Sequence, residues 1–197
     1  MNKKIVGIFI LTITALVILT LFSFGPLAGK RKSGSVNPAS LKPQTTQQVA
    51  SYHNKDMKEN YYAVNIPKDW QVQSLDDNLP GGYNLKSIQA KGIIDLIDVP
   101  DNTTLELFIL SQEEPQIKKN LAGYKRITYK KLNINNREAY QLVYSDNLLG
   151  DPGQTARTYI SGPDKAAVIT LFSKQTDFTA LEPLFMTILN SFQWENK

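Results

Sequence analysis

The chain has 197 residues, 42% hydrophobic and 20% charged, which is the composition of one ordinary globular domain with a tail. With no cysteine and a single histidine, His53, it can build no disulfide framework, thiolate metal site, thiol nucleophile or multi-histidine centre. Its formal charge of +4 does not make it a nucleic-acid binder: residues 1–55 hold seven basic side chains and no acid, and the remaining 142 hold 15 basic and 18 acidic ones, a net of −3.

Residues 1–4 are a short basic terminus. Lys4 and Lys30 then bracket 25 residues without a charge, and Ile5–Phe24 is a 20-residue apolar run. At about 1.5 Å per residue such a helix crosses the roughly 30 Å hydrocarbon core of a bilayer. The run is longer than a signal-peptide core, and its cleavage sites are poor: cutting after Ala28 puts Pro26 at the −3 position. The reading is an uncleaved anchor in the lipid bilayer, with a cleaved signal and a secreted domain as the alternative. Lys3 and Lys4 on one side and Lys30, Arg31 and Lys32 on the other nearly balance. An N-terminal hydrophobic segment ahead of a large C-terminal domain points to an extracytoplasmic domain, and the missing cysteines fit export without disulfides.

Residues 25–49 read as a polar and basic linker. From Gly29 to Gln48 there is no aromatic residue, and serine, proline, threonine and glutamine predominate. Such a stretch buries too little apolar surface to offset its chain entropy. The globular domain is expected over 50–197, with a short helix at Gln48–Met57. Tyr61–Ile66 alternates as a half-buried strand that places Tyr62, Val64 and Ile66 on one face; Pro67 ends it and Trp70 follows in a turn. Pro80-Gly81-Gly82 signals another turn, and Ile88–Ile97 is ambiguous. Thr103–Leu110 reads as a strand with Leu105, Leu107 and Ile109 on one face. Gln112–Leu121 reads as a helix.

Lys125–Asn133 and Glu138–Ser145 flank Asn135-Asn136, a hairpin turn signal. Thr155–Ser161 and Ala166–Ser173 form a second hairpin around Gly162-Pro163-Asp164-Lys165. Both faces of the last strand are apolar, so it is expected at the centre of a sheet covered on both sides. Leu181, Leu184, Phe185, Ile188, Leu189 and Phe192 share one helical face. Thr179 with Glu182 suggests a capping box, and Pro183 a start shortly before it. The fold class is α+β, an antiparallel sheet with few helices.

Motifs for chemistry are sparse. Gly25–Lys30 imitates a phosphate loop but has three residues between its glycines where four are needed, and Arg31 stands where a hydroxyl should be. Asp95, Asp98 and Asp101 with Asn102 offer oxygens to calcium without the order of a calcium loop. Asp146-Asn147 and Asp151-Pro152-Gly153 are turn chemistry. His53 lies in a polar stretch, and no Gly-x-Ser-x-Gly elbow accompanies it. Glu113-Glu114 are adjacent and so diverge on a helix. Asn102-Thr103-Thr104 matches a glycosylation sequon. No catalytic, cofactor or metal residues are assigned, and no cofactor is expected. Tyr61, Tyr62, Tyr129, Tyr140, Tyr144 and Tyr159 all fall on predicted strands, where one face is either a hydroxyl-rimmed ligand pocket or core packing.

Two segments carry a resemblance. Tyr61-Tyr62-Ala63-Val64-Asn65-Ile66-Pro67-Lys68-Asp69-Trp70 is an aromatic strand ending in Pro-x-x-Trp, and Phe185–Trp194 is a helix ending in Ser-Phe. With the late hairpins between them, they resemble the PsbP-like family over about residues 50–197, most of all its bacterial membrane-anchored members. The resemblance implies an α/β/α sandwich, an antiparallel sheet between helices, in a protein that is not an enzyme but an assembly or binding module. The expectation is therefore a membrane-anchored extracytoplasmic module that binds a protein or envelope partner. The alternatives are a small-ligand or calcium-binding domain and, further off, an enzyme of unrecognised type.

Overall fold

The computed structural model describes residues 46–50, 61–74, 82–147 and 152–195. Ten strands and three helices follow one another in them: β1 (Thr46–Ala50), β2 (Tyr61–Pro67), β3 (Gln71–Ser74), β4 (Tyr83–Lys86), β5 (Ala90–Ile97), α1 (Leu105–Phe108), a π-helical turn (Ile109–Glu113), α2 (Glu114–Asn120), β6 (Lys125–Ile134), β7 (Arg137–Asp146), β8 (Gly153–Ser161), β9 (Ala166–Lys174), α3 (Gln175–Asn190) and β10 (Gln193–Glu195). Seven strands make an antiparallel sheet in the order β3-β4-β5-β9-β8-β7-β6, and β1-β2-β10 make a second, smaller one. The α+β expectation holds.

β9 is the fourth of the seven strands, and every residue from Ala166 to Ser173 is buried. Neighbouring side chains on a strand face opposite ways, so Ile169 and Leu171 point to one layer and Val168 to the other. The first layer is the main core, where α3 presents Phe178, Leu181, Phe185, Ile188 and Leu189 together with Tyr62, Val64 and Ile66 of β2. The second lies under the segment α1–π turn–α2, where Ile109 meets Tyr140, Tyr159 and Val168, and Ile117 meets Leu142 and Tyr144.

The hairpin signals hold. Asn135 and Asn136 both take positive φ, 48° and 62°, as a two-residue turn matched to strand twist requires. Asn135 Nδ2 also reaches out of the turn, donating to the carbonyls of Phe192 (2.7 Å) and Asn190 (3.1 Å), and so ties the hairpin tip to the end of α3. In the second hairpin, Gly162 lies under the Trp194 indole. A Cβ there would stand 2.5 Å from the ring and 2.6 Å from the Lys165 carbonyl. Trp194 Nε1 donates to the Ser161 carbonyl at 3.0 Å.

Three expectations are corrected. Residues 105–110 are helical, not a strand. Leu105, Phe108 and Ile109 also have helical spacing, the Thr104 hydroxyl accepts from the Leu107 amide at 3.2 Å, and Leu107 is left 55% exposed. The last helix begins at Gln175, directly after β9, with Thr179, Glu182 and Pro183 inside it. Burial of Phe178 and a bond from the Gln175 amide to the Pro152 carbonyl (3.1 Å) support that early start. Residues 48–50 are extended and paired with β2, so the predicted helix does not begin there, and β1 takes in Thr46–Val49 from the stretch read as linker. Among the described residues no helix is long and apolar enough to cross a membrane. The predicted span Ile5–Phe24, Pro80-Gly81 and His53 lie outside them.

The hairpin tip generates a paired prediction. Asn135→Gly keeps the turn conformation but loses the side-chain bonds to α3, and should lower unfolding free energy by about 1 kcal/mol. Asn136→Gly relieves a left-handed residue and should leave stability unchanged or raised. Urea unfolding of the two variants, monitored by circular dichroism, checks the contrast.

Candidate functional site

The sheet face under α1–π turn–α2 gathers most of the tyrosines. Strand register places Asp95, Val168, Tyr159, Tyr140 and Lys131 in one row, and Ile93, Thr170, Arg157, Leu142 and Tyr129 in the next. The expectation of a tyrosine-bearing face is met by Tyr129, Tyr140, Tyr144 and Tyr159. Tyr62 faces the other core. Ile109 and Ile117, carried by the helical segment, pack over this face, Ile109 on Tyr140 and Tyr159 and Ile117 on Leu142 and Tyr144.

Pro115 explains how that segment delivers two carboxylates at once. Proline has no amide hydrogen and its ring crowds the carbonyl four residues back, so a regular α-ladder cannot run through it. Just before it the helix widens, and the Glu114 amide bonds the Ile109 carbonyl five residues back. Glu113 and Glu114 end up buried side by side against the sheet, at 9% and 6% exposure. The expectation that adjacent glutamates diverge is therefore corrected: they share the sheet-facing side and separate only in their partners.

Glu113 belongs to a closed triangle. Arg157 Nη2 donates to Glu113 Oε2 at 2.9 Å, Arg157 Nε donates to Tyr159 Oη at 2.8 Å, and Tyr159 Oη donates to the same Glu113 oxygen at 3.2 Å. Arg157 Nη1 lies 3.4 Å from Thr170 Oγ1. Burial by itself would weaken the guanidinium's hold on its proton, but Tyr159 and Glu113 outweigh that and raise its pKa. Burial pushes Tyr159 well up and Tyr144 up to about 12. These hydroxyls stay protonated at neutral pH and act as hydrogen-bond donors, not as bases.

Glu114 forms the second group. It pairs with Arg126 through both oxygens, with Arg126 Nε at 2.6 Å, and accepts from Tyr124 Oη at 2.5 Å. Burial opposes its ionisation, yet the hydrogen bonds from Arg126 and Tyr124 hold its carboxyl below the ordinary range. Further along, Tyr140 donates to Glu138, which also pairs with Lys131 at 3.3 Å. Among the described residues, Tyr129 Oη is the buried side-chain polar atom with no hydrogen-bond partner. Tyr129 itself stacks on Tyr140, ring centroids 5.9 Å apart.

The other candidates do not converge. Asp95 faces the Arg157 side and accepts from the Leu96 amide at 2.8 Å, and burial raises its carboxyl. Asp98 turns outward to Lys165 at 3.3 Å, and Asp101 is exposed. Among the described residues no three His, Cys, Asp or Glu side chains gather as a metal site needs. Asp146 is buried and accepts from Thr155 Oγ1 at 3.2 Å, a structural bond within the sheet. Asn102 is exposed at positive φ, and Thr104 of the sequon is the helix cap. Gly25–Lys30, His53 and Asp151 lie outside the described residues. Sequence reasoning missed Arg157, whose signal was a lone arginine between Thr155 and Tyr159 in an otherwise uncharged strand.

No protein-family model and no curated protein matches the sequence. Solved structures share its fold. The chain is similar to cyanobacterial PsbP (CyanoP) from Synechocystis sp. PCC 6803, with TM-score 0.57 and 15% identity, over 83% of this chain and 99% of that one. It is similar to LpqN of Mycobacterium tuberculosis, involved in cell envelope biogenesis, with TM-score 0.55 and 17% identity, over 77% and 92%. A Pseudomonas aeruginosa protein of unknown function, PA94, gives TM-score 0.52 and 18% identity, over 75% and 97%. The fold is PsbP-like; at these identities the likeness carries no site residue.

The Glu114 group sets a pH dependence. Its folded pKa lies below the ordinary 4.5, so its contribution is complete above pH 4.5 and is lost as pH falls through the folded value. Asp95, with its raised pKa, acts in the opposite sense, so the comparison with a variant isolates Glu114. Glu114→Gln should lower stability at pH 7 by about 1.5 kcal/mol, the size of a charge-assisted hydrogen bond. The deficit should shrink steadily from pH 5 to pH 3, as read from thermal unfolding at each pH.

Proposed function

We propose that this protein is a non-catalytic interaction module, held in a membrane by Ile5–Phe24, whose folded domain lies on the extracytoplasmic side and binds a protein or envelope partner. The observation that carries the reading is the closure of the tyrosine face. Its two buried carboxylates are committed to neighbours, Glu113 to Arg157 and Tyr159 and Glu114 to Arg126 and Tyr124, while Tyr129 Oη has no partner among the described residues. Groups used in acid–base or nucleophilic catalysis need a reachable reacting atom and a pKa near the working pH. Here the arginine and tyrosines are pushed further from neutrality and the Glu114 carboxyl is lowered, while Asp95, raised by burial, moves the other way. Among the described residues this leaves the outer surface for function. The shared fold with LpqN, whose name ties that protein to cell envelope biogenesis, supports the same direction.

The test is purification of the tagged full-length protein from its native membranes in mild detergent, with mass spectrometry of the intact chain and its companions. The expected result is a stoichiometric partner and a chain of 22.1 kDa that retains residues 5–24. A chain that purifies alone and turns over a substrate from a general panel contradicts the proposal.

A further inference from the structure

Charge in this domain is strongly segregated. Residues 115–137 carry seven cations, Lys118, Lys119, Lys125, Arg126, Lys130, Lys131 and Arg137, and no acid; the rest of 56–197 carries eight basic and eighteen acidic residues. The structure lays most of these cations along one line. β6 is the last strand of the seven-stranded sheet, with nine of its ten residues paired to β7 and, among the described residues, nothing beyond it. Lys118 and Lys119 close the last turn of α2 just ahead of it.

Two of the cations are spoken for, Arg126 by Glu114 and Lys131 by Glu138. Lys118, Lys119, Lys125 and Lys130 are exposed and form no ion pair among the described residues. The positive charge flanks the strand on both sides. Lys131 is opposite Tyr140 and so lies on the tyrosine face, while Lys130 is opposite Gln141 and lies on the face of α3. A bulge between Arg126 and Thr128 leaves Ile127 45% exposed on the same strand.

We propose that the outer edge of β6 receives an acidic, extended segment of a partner protein, added to the sheet as a further antiparallel or parallel strand. An edge strand offers a row of unpaired amide and carbonyl groups, and an added strand uses them for affinity while its side chains set specificity. Lysines on an edge repel basic strands, including a second copy of β6, and cost solvation when a neutral strand covers them. A segment with carboxylates along one face meets Lys125 and Lys130, which are opposite Ser145 and Gln141 on the face of α3, while Arg126 and Lys131 on the tyrosine face already hold Glu114 and Glu138. The opposite edge of the sheet, β3, is four residues long and uncharged. A lipid headgroup layer would match the charge but not the main-chain ladder.

The inference names the partner chemistry of the interaction module proposed above and rests on that reading. The probe is a fluorescent, end-blocked peptide of alternating Glu and Thr, as long as β6, titrated at physiological salt into full-length protein in phosphatidylcholine nanodiscs. Saturable binding is expected, weakened about tenfold or more by Lys125→Glu/Lys130→Glu and abolished by N-methylating alternate peptide amides. The variant must melt at the wild-type temperature; if it does not, Lys130→Gln alone serves, with a smaller expected loss. No binding, equal binding by the variant, or equal binding of the N-methylated peptide overturns the proposal. Lysine-dependent capture by phosphatidylglycerol vesicles without peptide binding also overturns it and assigns the edge to a lipid surface. A native partner that stays bound to Lys125→Glu/Lys130→Glu overturns this inference while leaving the interaction-module reading in place.

Discussion

A guanidinium and a carboxylate taken out of water must be bonded to each other and to their surroundings, and the Arg157–Glu113 pair places that demand at the middle of the sheet. Arg157 rises from β8 into an otherwise apolar and tyrosine layer, and its three nitrogens find Glu113, Tyr159 and Thr170. Removing one member of such a buried pair typically costs about 3–5 kcal/mol, because the other is left uncompensated. The pair therefore decides where the helical segment sits, and the segment's position decides the rest. It closes the tyrosine face and brings Glu114 onto Arg126.

The parts of the fold that were readable from sequence are those where one local signal had no rival. Asn135-Asn136 suits a two-residue turn with two left-handed residues, and Ala166–Ser173 is apolar on both faces, so it had to be central. Residues 105–110 had two rivals. Leu105 and Ile109 fit alternation as well as helical spacing, and the decision fell to the Thr104 cap and the burial of Phe108 beside Ile109. The early start of α3 was hidden because Pro183 and a capping-box pattern pointed later, while Phe178 extended the core stripe backward. The Glu113/Glu114 site was hidden for a different reason. The angle between adjacent helical residues says that they diverge, and the widened turn ahead of Pro115 is a tertiary outcome. Arg157 was legible only as an oddity, a charge within a strand that is otherwise uncharged.

The two segments that carry the family resemblance turn out to be neighbours. β2 and β10 pair with Trp194 opposite Tyr62, Phe192 stacks on Tyr62 with centroids 5.3 Å apart, and Ser191 Oγ accepts from the Asn65 amide at 2.9 Å. The motifs are thus the two halves of one packing unit that fastens the chain ends of the domain together. A motif of this kind marks a fold, which is consistent with shared architecture at 15–18% identity, and it carries no chemistry. Function is then a matter of what each chain sets on its surface. In this one the clearest departure from uniformity is charge, acidic over most of the domain and basic along α2 and β6.

Closure of the tyrosine face by the buried pair is tested most directly by amide hydrogen exchange on the full-length protein and on Glu113→Gln. In the wild type, amides of residues 108–120 should be protected to a degree approaching β7–β9. In Glu113→Gln they should exchange much faster, while β8 and β9 keep most of their protection. Rapid exchange of 108–120 in the wild type, or protection there that is indifferent to Glu113→Gln, would contradict the claim that this pair holds the segment on the sheet.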